Sequence, residues 1–139
     1  MPKQRALILL VLADVVLVTL TIVAELVFNR TLPRALRDYQ LASATPPWSL
    51  TDIALFGVWL IIAATTIVAW LGLLLHWKHG PALYAGAWAL MLVLVLLSGP
   101  SVMTGPGAML FTLESLIGGM ILGLVYFSEL RLHFQSDMA

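Results

Sequence analysis

A chain of 139 residues is the size of one domain. With 61% hydrophobic residues, 10% charged residues and a mean hydropathy of +1.01, it carries too much apolar surface for a soluble core of this size, so lipid must solvate much of it. The formal charge is zero and no basic patch points to nucleic acid; the lack of cysteine excludes disulfides, thiolate metal sites, iron–sulfur clusters and cysteine nucleophiles.

The first element is the apolar run of residues 6–28, ALILLVLADVVLVTLTIVAELVF. Its 23 residues are too many for the apolar segment of a signal peptide, and the small-residue site at Ala42-Ser43-Ala44 lies far beyond it, so it reads as a retained transmembrane helix. It carries Asp14 and Glu25, eleven residues apart. At 100° per residue this spacing puts both acids on one face, with Thr21 on the same stripe. An acid facing lipid costs several kcal/mol, so the stripe is expected to face another helix or a wet cleft. Glu25 lies about 5 Å from one end of the span and Asp14 about 12 Å from the other.

Residues 29–49 form the one sizeable extramembrane loop. Leu32, Leu36 and Tyr39 fall at i, i+4 and i+7, the spacing of a short surface helix, with Pro33 suited to its first turn. Arg34, Arg37 and Asp38 would then meet water or headgroups. Asn29-Arg30-Thr31 has the form of a glycosylation sequon but sits against the membrane.

A second span covers about 50–75. Ser49 and Asp52 have capping-box spacing, Pro46 and Pro47 suit the approach to a helix start, and Trp48 and Trp77 stand where interface anchors are expected. The turn HWKHG follows. Its His76 and His79 are three apart, but no acid or cysteine completes a metal set, and interfacial solvation accounts for them. The third span, about 81–98, carries a weak small-residue pair at Ala82 and Gly86. The link SGPSVMTGPGA, with two Gly-Pro pairs, reads as a tight turn, or as a re-entrant lining.

The fourth span, about 107–127, contains Glu114 roughly 10 Å from its start. Ser115, Gly119 and Gly123 repeat every four residues and mark a helix-packing stripe, either within one chain or between two. No lysine or arginine occurs inside any span. Asp14 and Glu114 must therefore be stabilised by a hydroxyl or amide hydrogen bond, water, a bound cation or a proton. The proton is the default, because desolvation disfavours the charged form of a buried acid.

These elements specify an all-α, polytopic membrane protein: four transmembrane helices in one antiparallel bundle, forming a single domain over residues 1–139. Lys3, Arg5, Lys78 and Arg131 on one side against Arg30, Arg34 and Arg37 on the other lean toward both termini being cytoplasmic.

The stretch GPSVMTGPGAMLFTLESLIGGMILGLVYFSELRLHF resembles the end of uncharacterised small four-span bacterial inner-membrane proteins, in which a Gly-Pro loop precedes a helix with an internal Glu, small residues and a terminal Tyr-Phe-Ser. That resemblance covers roughly the last third of the chain; it implies the bacterial inner membrane and brings no activity with it. In layout the chain is also similar to the small multidrug-resistance transporters, short four-span proteins built around an acid in the first helix; the long loop after that helix and the lack of their local motifs set it apart.

Three functions stay open. One is a structural or accessory membrane protein acting through its helix faces on a second copy or a membrane partner. The second is a proton- or cation-coupled transporter or channel using Asp14, Thr21, Glu25 and Glu114. The third is a membrane enzyme, the least supported class, since the sequence has no nucleophile with its base, phosphate loop or dinucleotide fingerprint; no cofactor is expected.

Overall fold

The computed structural model describes residues 2–44, 47, 49–97, 102–130 and 134. Pro46, Trp48, Arg131 and the Gly99-Pro100 pair, each given a role above, lie outside them, as do the side chains of Ser43 and Ala44. The described residues are all-helical, in the order α1 (Pro2–Phe28), a 3₁₀ turn (Asn29–Thr31), α2 (Arg34–Ala44), α3 (Leu50–Leu74), α4 (Gly80–Leu97) and α5 (Gly105–Phe127). All but α2 and the 3₁₀ turn are long and apolar enough to cross a membrane, which makes this an integral membrane protein.

The helix limits follow local chemistry. α1 begins ahead of its apolar run because Lys3, Gln4 and Arg5 are good helix formers. α3 starts at a full capping box: Ser49 Oγ accepts from the Asp52 N–H at 3.1 Å, and the Ser49 N–H donates to Asp52 Oδ2 at 2.8 Å. α5 begins two residues earlier than the apolar pattern alone implies, since Thr104 caps it and Gly105-Pro106 fit its first turn.

The turn between α3 and α4 is a Schellman motif. The Trp77 N–H donates to the Gly72 carbonyl at 2.7 Å and the His76 N–H to that of Leu73 at 3.3 Å. His76 holds the left-handed position, φ 55°, usually given to glycine. It is half-buried and stacks on Phe134 with ring centroids 5.8 Å apart, so packing as well as interfacial solvation fixes it. A Cβ on Gly80 would lie 2.7 Å from the Gly72 backbone, so α4 can follow α3 this closely only with glycine there.

The helices associate as two antiparallel pairs, α1 with α5 and α3 with α4, and contact between the pairs is sparser. Along α1 the face toward α5 runs through residues 7, 11, 14, 18, 21 and 25; along α5 it runs through 107, 111, 114, 118, 121 and 125. Both follow the alternating four-and-three spacing of a left-handed helix seam, and every one of these residues is buried or half-buried. The register is fixed at both ends. Lys3 pairs with Glu129 at 2.9 Å, and the Glu25 carboxylate lies where a side chain on Gly107 would be. Continuing it sets Leu7 level with Val125, Val11 with Ile121, Asp14 with Gly118, and Val18 with Glu114.

The apolar core lies at the end of the bundle that holds the start of α1, the end of α5 and the α3–α4 turn. Leu7, Val11, Ala69, Leu73, Ile121, Val125, Leu130 and Phe134 fill it, with Tyr84 at its margin. At the opposite end, α2 runs from the 3₁₀ turn with Leu36, Tyr39 and Leu41 exposed. Gln40 Nε2 donates to the Val102 carbonyl at 3.0 Å and ties α2 to the link before α5.

Candidate functional site

Asp14 sits near the middle of α1 and is 2% exposed. Its Oδ2 accepts two hydrogen bonds: from Trp70 Nε1 of α3 at 2.9 Å and from the Tyr84 hydroxyl of α4 at 2.8 Å. Among the described residues, no partner reaches the buried Oδ1. Trp88 is one turn along α4 from Tyr84, and its indole lies over Gly118 of α5. A Cβ on Gly118 would stand 2.5 Å from that ring. Gly118 is level with Asp14, so all four spanning helices meet in one layer: a carboxyl from α1, indoles from α3 and α4, a phenol from α4 and a glycine from α5.

Glu114 is half-buried, four residues along the α5 seam from Gly118 and so about 6 Å nearer the loop end. It is close enough to Asp14 and Tyr84 for their charges to interact. Thr21 is half-buried further along the seam and donates its hydroxyl to the Leu17 carbonyl of its own helix at 2.9 Å.

Glu25 closes the seam at the loop end. Its Oε1 accepts from the Thr104 N–H at 3.0 Å and the Thr104 hydroxyl at 3.1 Å. Thr104 Oγ1 in turn accepts from the Gly107 N–H at 3.1 Å. A carboxylate of α1 thus lies against the positive N-terminus of α5, a favourable place for an anion. A side chain at Gly107 would displace the Glu25 carboxylate from this place.

Within the chain, other glycines make the close contacts. A Cβ on Gly119, Gly123 or Gly86 meets nothing within 4 Å, whereas Gly72, Gly80, Gly107 and Gly118 make the close approaches inside the chain. Ser115 is half-buried and its hydroxyl bonds back to the Phe111 carbonyl at 2.9 Å. The seam of α5 passes through Gly118, one residue and 100° away from Gly119. Trp70, Tyr84, Trp88, Thr104 and the glycines 107 and 118 were not singled out by sequence pattern, since each looks like ordinary lipid-facing or turn sequence until its neighbours are known.

Among the described residues no three histidine or acidic side chains gather as a metal site. No family model, curated protein or solved structure matches the chain.

Proposed function

We propose that this protein is a structural or accessory component of the bacterial inner membrane, acting through contact of its helix faces with a second copy or a membrane partner. The observation that carries this reading is the surface of α5: Gly119 and Gly123 form a GxxxG with open space over both. Small residues at this spacing let another helix approach closely in lipid. The interior supports the same reading, because Asp14 is engaged in hydrogen bonds that link α1 to α3 and α4. The test is subunit counting in lipid nanodiscs, together with co-purification of two differently tagged copies. Association that Gly119→Leu abolishes while the fold persists supports the proposal. A monomer with no partner-dependent change at that face contradicts it. Both termini are proposed to be cytoplasmic, with Lys3, Arg5 and Lys78 retained there; labelling of a terminal tag from outside intact cells contradicts that orientation.

A second reading, proton- or cation-coupled transport, is favoured by one feature. Asp14 Oδ1 is buried without a partner among the described residues, near a second acid. Intramembrane acids are costly and mark ion pathways. Flux driven by a pH difference across proteoliposomes that is lost in Asp14→Asn supports transport; flux equal in both proteins, or absent from both, supports the accessory reading.

A further inference from the structure

The seam between α1 and α5 changes character at Asp14. Toward the termini its positions are Leu7, Val11, Ile121 and Val125, all buried and apolar. Toward the loop end it carries Glu114, Thr21 and Glu25 alongside the half-buried Val18 and Phe111, with Thr104 bonded to Glu25. A seam serving only to pack helices in lipid has no use for polar groups along one half of its length. Asp14 stands at the inner limit of that half, with Oδ1 buried and unpartnered among the described residues.

We propose that Asp14 and Glu114 form a proton-binding pair, filled from the loop end of the seam by way of Glu114. Glu114 is the more exposed acid, and the apolar core closes the other route. The groups facing the pair are few. α1 contributes Asp14 itself and Glu25 at the seam mouth, α3 contributes Trp70, which does not titrate, α4 contributes Tyr84, and α5 contributes Glu114. With both acids ionised, two like charges are offset by about one helical turn along the seam, with no lysine or arginine in the apolar runs that hold them. One proton taken up by the Glu114 carboxylate removes that repulsion, and its passage through an intervening water to Asp14 Oδ1 returns Glu114 to the carboxylate form. Trp70 and Tyr84 hold Oδ2 throughout, which leaves Oδ1 as the atom that exchanges. A proton fits this donor set better than a metal cation, since two carboxyls and a phenol already donating to one of them leave too few oxygens for a coordination shell.

This goes beyond the accessory reading and deepens the transport reading, and its test is independent of flux. The full chain in lipid nanodiscs is titrated while the carboxylic C=O region is followed by infrared difference spectroscopy. Two protonated-carboxyl signals are expected. Asp14→Asn should remove one and Glu114→Gln the other, each substitution moving the pH midpoint of the acid that remains. Helicity by circular dichroism checks that each variant folds, and Glu114→Gln alone suffices if Asp14→Asn does not. Midpoints that ignore the partner acid, or a carboxyl pair that does not respond to pH, overturn the proposal. In proteoliposomes, a pH step on the side of the α1–α3 loop should exchange the signal faster than a step on the side of the termini; the reverse overturns the route. A coupled titration without flux leaves the proton site standing and removes only transport.

Discussion

At the scale of single residues, Gly118 and Gly119 differ sharply although they are neighbours. A side chain at Gly118 must push the Trp88 indole off its place over α5, and overpacking of this kind costs about 1–3 kcal/mol. Gly118→Leu should therefore lower thermal stability in detergent by that amount, and Gly119→Leu should stay within about 0.5 kcal/mol of wild type, as surface substitutions do. The hydrogen bonds to Asp14 Oδ2 make a second prediction. Trp70→Phe and Tyr84→Phe each remove one donor, and each should cost on the order of 0.6–1.7 kcal/mol, the range measured between membrane helices. Both donors meet one oxygen, so a double-mutant cycle should show coupling rather than additivity.

At the scale of helices, the register of α1 on α5 is testable by cross-linking, and the natural chain has no cysteine to interfere. Cysteines at Val11 and Ile121 should cross-link readily on mild oxidation, whereas Val11 with Met120, which points outward, should not. The Lys3–Glu129 pair at the exposed end of this seam has its own pH signature. Hydrogen bonding and charge from Lys3 hold the Glu129 carboxyl below its ordinary value. Its contribution is therefore complete above that ordinary value and disappears as the pH falls through the depressed one. Amide exchange in the first turns of α1 should rise over that acidic window, and Lys3→Ala should remove the dependence. Four of the five helices were legible from apolar run length, and α2 from the spacing of Leu36 and Tyr39, because lipid and interface impose strong patterns. The shared face of Asp14, Thr21 and Glu25 was legible too, since helical periodicity alone fixes it. Which glycines pack was not. Gly107, Gly118, Gly119 and Gly123 are equally small, and only the rotation of α5 against α1 decides which of them meets a neighbour.

At the scale of the whole molecule, two tightly packed helix pairs meet along a sparser boundary, and the layer at Asp14 bridges it. The sequence pointed to a stabiliser for this acid without naming one. Its donors lie 56 and 70 residues away along the chain, and an indole or phenol in a membrane span looks like any other aromatic. The central claim is that Asp14 holds α1 to α3 and α4. The direct measurement is the distance distribution between spin labels at the exposed Val23 of α1 and Ile61 of α3 in lipid, for wild type and Asp14→Ala. A single narrow distribution in wild type that broadens or lengthens in Asp14→Ala is the predicted result. A distribution unchanged by the substitution, with equal thermal stability, would contradict it.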